Sequence, residues 1–207
     1  MTGRFITLEG GEGAGKSTQA ALLATALRAE GIEVVATREP GGTPGAEAIR
    51  ALIVEGDPDR WSALTELLLV NAARADHVAR LIRPALERGA WVVCDRYIDS
   101  TLAYQGAGKG LPRDALIDQH RLATGNLWPD LTLVLDLPVD LGEQRAAGRG
   151  RLDRFEMTGG GFHNRVAEAF RASADDDPRR VRLVDGTRDP AAVATAIWAE
   201  VEPLVAR

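Results

Sequence analysis

Short apolar runs recur along this chain, and a longer segment with helical spacing separates each run from the next. A run that is apolar on both faces, such as Ala-Trp-Val-Val-Cys at residues 90–94, is typical of a strand that is covered on both sides of a parallel sheet. The pattern predicts strands at residues 5–8, 32–37, 90–94, 131–137 and 181–184.

The intervening segments carry apolar residues every three or four positions, as amphipathic helices do. Pro84 lies inside the longest segment and is expected to bend it, because proline cannot donate the backbone hydrogen bond of a helix. The predicted helices cover residues 18–29, 46–54, 62–88, 114–124, 139–147, 162–174 and 190–205. Strands that alternate with helices predict an α/β fold with a parallel sheet and helices on both faces. Residues 1–207 contain no repeat or linker and are expected to form a single domain.

Residues 10–17 read Gly-Gly-Glu-Gly-Ala-Gly-Lys-Ser and fit the phosphate-loop pattern G-x-x-x-x-G-K-[ST]. Glycines allow backbone N–H groups to close around an anion, and the helix that begins there adds its positive end. The residues expected to hold a nucleoside triphosphate are Gly10, Gly11, Glu12, Gly13, Ala14, Gly15, Lys16, Ser17 and Thr18. The predicted fold is therefore the three-layer fold of the P-loop NTPases.

Two residues near this loop are candidate Mg²⁺ ligands. The Ser17 hydroxyl can bind the ion directly, while Lys16 reaches the β- and γ-phosphates. Asp95 follows the apolar run at 90–94, a position from which a carboxylate can hold the hydration shell of the ion. The alternative role of Asp95 is to cap the next helix.

Arginines from separate segments are candidates for a second phosphate site. Arg96 stands beside Asp95, and its planar guanidinium can pair with two phosphate oxygens. Arg38, Arg50 and Arg74 belong to other segments, and any one of them could be an ordinary surface residue. Ligands gather at the carboxyl ends of parallel strands, so several arginines returning to that edge favour an anion site.

Residues 148–161 are predicted to form a small mobile lid. The segment is basic at its first end, has glycines at both ends and lies between two predicted helices. Glycine hinges would allow closure, and an arginine brought over the phosphates accelerates phosphoryl transfer by about 10³–10⁵. A plain solvated loop is the alternative.

Composition limits the partners and the compartment. The net charge of −5 argues against a nucleic-acid-binding surface. The longest apolar runs, such as residues 67–70, are too short to span a bilayer, and the first residues do not resemble a secretory signal. Cys94 is the only cysteine, so no internal disulfide can form and a cytoplasmic location is expected. The leucine-rich cluster at 64–69 is expected to belong mainly to the core.

Three further motifs resemble those of the bacterial thymidylate kinase (dTMP kinase) family. They are Arg-Glu-Pro-Gly-Gly-Thr at 38–43, Asp-Arg-Tyr at 95–97 with Ala-Tyr-Gln-Gly at 103–106, and Leu-Asp-Arg-Phe-Glu at 152–156. A phosphate loop alone fits many families, but this combination is specific and the resemblance extends to about residue 186. It implies Mg-ATP-dependent phosphorylation of dTMP to dTDP, in the route to dTTP, by a homodimer formed through the helices around residues 62–88.

The resemblance also implies which residues handle the transferred group. Arg96 would hold the dTMP phosphate as a catalytic residue, helped by Arg38 and Arg50. In this family the lid supplies the catalytic arginine when the variable positions of the phosphate loop carry no basic residue, as is the case here. Arg149 is the first candidate and Arg154 the second.

The same resemblance places the nucleoside of dTMP. Arg74 would contact the carbonyl edge of thymine, and Thr101 and Gln105 would face the base. Tyr104 would lie under the sugar, where a ribose 2′-hydroxyl would clash. Glu12 would lie near the sugar 3′-hydroxyl or a water bound to magnesium.

Two positions depart from the family pattern. Val70 stands where the family commonly has a phenylalanine that stacks on thymine, and base stacking is worth about 1–3 kcal/mol. Asp185-Gly186, expected beside the adenine, replaces the usual Asp-Ala. Val70 therefore leaves open a kinase for another pyrimidine monophosphate, namely dUMP, UMP or dCMP.

Two other classes of protein fit the sequence less well. A GTPase switch would recognise guanine through Asn-Lys-x-Asp, and neither lysine of the chain follows an asparagine. A non-catalytic module that binds ATP for regulation would need no second phosphate site, and it would leave Arg38, Arg74 and Arg96 without a role.

Overall fold

A five-stranded parallel sheet with the order β2–β3–β1–β4–β5 forms the centre of the fold. The computed structural model describes residues 3–148, 153–159 and 161–205. Within them the strands are β1 (Phe5–Glu9), β2 (Val34–Arg38), β3 (Trp91–Asp95), β4 (Leu131–Asp136) and β5 (Val181–Asp185). The predicted strands are confirmed, with bounds that shift by one or two residues. The register places Leu8 of β1 beside Asp95 of β3, and Arg38 of β2 beside the same Asp95.

Helices connect the strands and cover both faces of the sheet. They are α1 (Lys16–Ala29), α2 (Pro44–Val54), α3 (Ala63–His77), α4 (Arg83–Glu87), α5 (Ile98–Thr101), α6 (Arg113–Thr124), α7 (Val139–Ala147), α8 (Phe162–Asp176) and α9 (Pro190–Val205). The α/β class with helices on both faces is confirmed.

The long helix predicted over 62–88 is continuous but changes its winding. A π-helical segment, Val78–Ile82, separates α3 from α4 directly before Arg83-Pro84. A π-helical turn frees backbone carbonyl groups from the regular ladder, which accommodates a proline that lacks an N–H. The structure thus shows a local widening of the helix before Pro84, whereas the bend expected at Pro84 stays a prediction.

The side chains of the strands alternate between two packed layers. Ile6 and Leu8 of β1 belong to a cluster with α1 and α9 residues such as Leu27 and Ile197. Phe5, on the opposite face of β1, packs with Ile82 and the segment that leads into α4. A third cluster, built around Phe170 of α8, covers the β4 and β5 end of that second face. This packing fixes the carboxyl ends of the strands, where the candidate site lies.

The segment after β3 contains two short helical pieces that the sequence pattern did not predict. Helix α5 is followed by a second π-helical segment, Leu102–Gly108, which carries the Ala-Tyr-Gln-Gly motif. π-helical segments occur frequently at functional sites. In the part of the chain that the structure describes, no helix has the length and apolar character needed to cross a membrane.

Candidate active site

The phosphate loop joins the end of β1 to the start of α1, and neighbouring backbone confines its glycines. Gly13 has a φ of 67°, and a Cβ there would lie 2.0 Å from the carbonyl oxygen of Gly142 in α7. A Cβ on Gly10 would lie 2.5 Å from the carbonyl oxygen of Leu135 in β4. Only glycine fits at either position, because the loop packs directly against the backbone of β4 and α7.

Lys16 begins α1 and folds its side chain back over the loop. Its Nζ donates to the carbonyl oxygens of Gly10 at 3.2 Å and Gly11 at 2.7 Å. Burial, together with the nearby Arg96, lowers the pKa of Lys16 to about 8, although Glu12 partly opposes this shift. A buried ammonium group that is held against carbonyl dipoles and other cations would be stabilised by an added anion.

Ser17 and Asp95 bring two oxygen ligands together across the sheet edge. The Ser17 Oγ donates to Asp95 Oδ2 at 2.5 Å, which joins the first turn of α1 to the end of β3. Such oxygens suit a hard divalent cation. Among the described residues no group of three or more His, Cys, Asp or Glu side chains could hold a metal. An ion at Ser17 and Asp95 would therefore need further oxygens from phosphate or water, which is the usual situation for Mg²⁺ in phosphoryl transfer.

Arg96 follows Asp95 with a φ of 69°, a conformation that non-glycine residues rarely adopt. Its guanidinium donates to Glu12 Oε1 at 2.9 Å and to the Tyr104 hydroxyl at 3.0 Å, and it lies 4.8 Å from the centre of the Tyr104 ring. Burial would raise the pKa of Glu12, but Arg96 and Lys16 more than offset this and lower it to about 2. Arg96 and Glu12 therefore form a charged pair on the wall of the loop.

Glu9 holds the strained turn at Arg96 in place. Its Oε1 accepts from the backbone N–H groups of Tyr97 at 2.7 Å and Ser100 at 3.2 Å, and its Oε2 accepts from the Ser100 hydroxyl at 2.5 Å. Burial, reinforced by Asp99, raises the pKa of Glu9 to about 7. The end of β1 thus braces the start of α5 and, through it, Arg96.

One open cleft at the carboxyl ends of β1, β2 and β3 collects most of the predicted site residues. Those that line it are Glu12, Lys16, Ser17, Arg38, Arg50, Arg74, Asp95, Arg96, Thr101, Tyr104 and Gln105. Val70 and Phe155 line the same cleft. Phe155 meets the Tyr104 ring edge-on, with ring centres 5.8 Å apart.

Arg38 and Arg50 lie on the rim of the cleft. The Arg38 Nη2 is 3.1 Å from Glu47 Oε2, and this arginine is exposed. The Arg50 Nη1 donates to the Pro40 carbonyl oxygen at 2.7 Å, and burial, together with Arg38, lowers its pKa. Because Arg38 adds to this lowering of the pKa of Arg50, the two like charges repel, and an anion between them would stabilise both.

Arg74 of α3 lines the cleft, and two of its three guanidinium nitrogens donate hydrogen bonds to the residues around it. Its Nε donates to Glu39 Oε2 at 2.7 Å, and its Nη2 donates to the Tyr97 carbonyl oxygen and to Thr101 Oγ1, each at 3.0 Å. Its Nη1 is buried and has no hydrogen-bond partner among the residues that the structure describes. A buried guanidinium donor without a partner costs free energy, so this nitrogen would be stabilised by an acceptor. Arg74 lines the cleft, where a ligand could supply one.

Arg154 is buried and lies away from the phosphate loop, in a network around Glu66. Its Nε donates to the Ile53 carbonyl oxygen at 2.9 Å, and its Nη2 forms an ion pair with Glu66 Oε2. Glu66 also accepts from Lys109 at 2.7 Å and from the Gln105 amide at 2.8 Å. The structure therefore brings Gln105 into the cleft wall but does not bring Arg154 to the loop. Arg149, the first candidate for the lid arginine, lies outside the described residues.

The remaining predicted residues lie outside this cleft. Asp185 is the last residue of β5, and Gly186 follows it. The Gly186 carbonyl oxygen accepts from Arg145 Nη1 at 2.8 Å, and the Gly186 N–H donates to the Asp136 carbonyl oxygen at 2.8 Å. Thr18 is exposed on the first turn of α1, directly after the loop.

Sequence reasoning missed the buried acids and the histidine that support the site. Glu39 and His77 bond to each other beside Arg74, and Glu66 is enclosed by three partners. The only available signal was a charged residue placed among apolar neighbours, such as Glu66 before the leucines at 67–69.

Along almost its whole length, the chain is similar to proteins of one family. The family model described as "Thymidylate kinase" matches residues 8–197. A thymidylate kinase of Rhizorhabdus wittichii is 55% identical over 199 residues, which cover 95% of this chain and 96% of that protein. A thymidylate kinase of Thermomicrobium roseum is 54% identical over 207 residues, which cover 98% and 96%. The crystal structure of thymidylate kinase from Ehrlichia chaffeensis superposes with a TM-score of 0.78 at 31% identity, covering 97% of this chain and 99% of that one.

Proposed function

The chain belongs to the thymidylate kinase family, and we propose that it transfers the γ-phosphoryl group of ATP to dTMP, giving dTDP and ADP in the route to dTTP. The observation that carries this proposal is a single cleft with two places for a phosphate group. Lys16, with the Ser17 hydroxyl beside it, forms one at the phosphate loop. The arginines Arg96, Arg38 and Arg50 form the other. A binding module for ATP alone would need only the first.

The reaction proceeds by direct in-line transfer without a covalent enzyme intermediate. An oxygen of the dTMP phosphate attacks the γ-phosphorus as the bond from that phosphorus to the bridging oxygen of ADP breaks. Because a phosphate monoester has a second pKa near 6, the attacking oxygen is already ionised and requires no strong general base. Lys16 neutralises charge on the transferred group, while Arg96 holds the acceptor phosphate and is itself aligned by Glu12.

Ser17 and Asp95 present two oxygen donors side by side at the sheet edge, and these would hold a Mg²⁺ ion. Such an ion would supply positive charge that offsets the charge of the bound triphosphate. For the catalytic arginine of the lid we propose Arg149, because Arg154 would have to leave its buried pair with Glu66 to reach the phosphates.

The remaining roles follow from position. Arg74, Thr101 and Gln105 line the part of the cleft proposed for the thymine ring. Tyr104 underlies the sugar, with its hydroxyl donating to Glu12 at 2.6 Å. Asp185 and Gly186 are proposed to contact the adenine of ATP.

A substrate panel tests the proposed function. ADP release would be followed with Mg-ATP against dTMP, dUMP, UMP and dCMP, each over a concentration series. A strong preference for dTMP is expected and would mean that Val70 is compensated by other residues of the cleft. A comparable rate with dUMP would assign the chain to a broader pyrimidine monophosphate kinase. Turnover with none of the four would overturn the proposal in favour of a binding module.

The affinity for ATP is expected to fall as pH rises above about 8. Lys16 has a pKa of about 8 in the free protein, and bound triphosphate favours its charged form. The Kd for ATP should then increase about tenfold per pH unit until the pKa of Lys16 in the complex is reached. Titration calorimetry between pH 7 and pH 9.5 measures this. Lys16→Ala should give a flat profile, and an equally flat profile for the unmodified protein would contradict the assignment.

We also propose that the protein acts as a cytoplasmic homodimer through α3. The leucines of the cluster at 64–69 differ in exposure. Leu67 is buried, whereas Leu64 and Leu68 are 56% and 49% exposed. The expectation that the cluster belongs mainly to the core is therefore wrong for these two. Light scattering should give about twice the chain mass of 22.1 kDa. Leu68→Glu should give the monomer, whereas Leu22→Glu, on α1 across the sheet, should remain dimeric. A dimeric Leu68→Glu would exclude this face.

A further inference from the structure

A buried series of hydrogen-bonded side chains connects Thr37 of β2 to Arg74 of α3. Thr37 Oγ1 lies 2.8 Å from His77 Nε2, and His77 Nδ1 lies 3.0 Å from Glu39 Oε1. The other oxygen of Glu39 accepts from Arg74 Nε at 2.7 Å. An ionised carboxylate can only accept, so Nδ1 carries the proton of this contact and Nε2 is the partner of the Thr37 hydroxyl.

The side chains of this hydrogen-bonded series are buried and closely packed, so they have little room to move. The side chain of His77 is 0% exposed and that of Glu39 is 3% exposed. A Cβ on Gly42, which has a φ of 89°, would lie 2.4 Å from His77 Nε2 and 2.5 Å from Thr37 Oγ1. The backbone of the Arg-Glu-Pro-Gly-Gly-Thr motif therefore lies directly against the contact between Thr37 and His77 and holds it closed.

This series of hydrogen bonds ends at Arg74, whose Nη1 is the donor that can take a further partner. Burial would raise the pKa of Glu39, but Arg74 and His77 more than offset this, so the carboxylate remains charged opposite the guanidinium. Nε and Nη2 donate to Glu39, Tyr97 and Thr101, which fixes the plane of the guanidinium. Within residues 3–148, 153–159 and 161–205, Nη1 has no partner.

We propose that His77 and Glu39 are positioning residues that aim Nη1 of Arg74 at the base of the acceptor nucleotide, and so select a carbonyl over an amine on that base. This inference rests on the proposed function. An arginine can only donate, so it pairs with the carbonyl of thymine or uracil and opposes the amino group of cytosine. A mobile Arg74 would lose part of that discrimination, whereas a fixed one keeps it.

A pair of variants at position 77 tests the proposal. His77→Leu removes the contact to Glu39, whereas His77→Asn keeps an N–H close to the position of Nδ1. Steady-state rates would be measured with dTMP and with dCMP as acceptors at saturating Mg-ATP, and with Mg-ATP varied at saturating dTMP. For His77→Leu we expect the KM for dTMP to rise about tenfold and kcat to stay within about twofold. The preference for dTMP over dCMP in kcat/KM should fall by a similar factor, while the KM for ATP is unchanged. His77→Asn should restore the KM for dTMP and the acceptor preference to within about threefold of the unmodified protein.

The outcomes separate the inference from the proposed function. Suppose that the unmodified protein phosphorylates dTMP. If both variants then behave like it, or if kcat falls as much as kcat/KM, His77 does not position the contact to the base. Either result overturns this inference and leaves the proposed function standing. If the unmodified protein phosphorylates no pyrimidine monophosphate, the proposed function fails and the inference fails with it. If thermal melting shows that His77→Leu is unfolded, the variant Thr37→Val tests the proposal instead. Valine keeps the side-chain volume and removes the hydroxyl that contacts His77. An unchanged acceptor preference in Thr37→Val would reject the proposal.

Discussion

Replacing Lys16 with alanine is expected to lower kcat by about 10³ or more while the protein stays folded. The ammonium is the group at the phosphate loop that can neutralise charge on the transferred phosphoryl group, and removal of a single preorganised donor already costs about 10²–10³ in kcat. Its structural contacts are two hydrogen bonds to loop carbonyl oxygens, at Gly10 and Gly11. Thermal unfolding should therefore change little, and coupled measurement of ADP release with dTMP gives the rate.

Two controls make this result specific. Lys16→Met keeps most of the side-chain volume without the charge, so it should be as impaired as Lys16→Ala. Arg88→Ala removes a cation that pairs with Glu33 at 2.9 Å, at the opposite end of the strands, and should leave kcat unchanged. Near-normal turnover in Lys16→Ala, or recovery in Lys16→Met, would mean that the ammonium does not stabilise the transition state and that the mechanism is wrong.

The sequence predicts those parts of the site that local chemistry determines. The phosphate loop could be found because glycines and a lysine at fixed spacing are required wherever a backbone closes around an anion. Arg96 and Asp95 could be found because they directly follow an apolar strand, and a parallel sheet places such residues at one edge. In each case the information lies within a few residues, so a single sequence contains it.

The supporting residues could not be predicted, because their partners are distant in the chain. Glu66 meets Gln105 and Arg154, which lie 39 and 88 positions further on. Before the fold is known, Glu66 is one polar residue on a helix, and Arg154 is one of several arginines near a glycine-rich segment. Arg154 therefore seemed free to approach the phosphates, yet a buried carboxylate holds it elsewhere. Glu39 stood inside a motif that was recognised, but its role depends on His77, which no local pattern connects to it.

Replacing Glu66 with leucine is expected to lower the free energy of unfolding by about 3–5 kcal/mol, the usual cost of removing one partner of a buried ion pair. Glu66 is fully buried and accepts from Gln105, Lys109 and Arg154, so the substitution leaves an amide and two cations without their partner. Lys109 is 17% exposed and can turn toward water, whereas Arg154 is 1% exposed and cannot. Urea unfolding followed by circular dichroism measures the change.

A second substitution identifies the origin of that loss. In the double variant Glu66→Leu/Arg154→Met, the uncompensated guanidinium is gone, and an apolar pair of similar volume fills the space. We expect the double variant to be more stable than Glu66→Leu alone, because the charge left behind is more costly than the missing contacts. If the two substitutions instead reduced stability additively, the ion pair would not be the source of the loss. Recovery in the double variant would establish that Arg154 serves here as a buried anchor between α2 and α3, which leaves the catalytic role in the lid to another arginine.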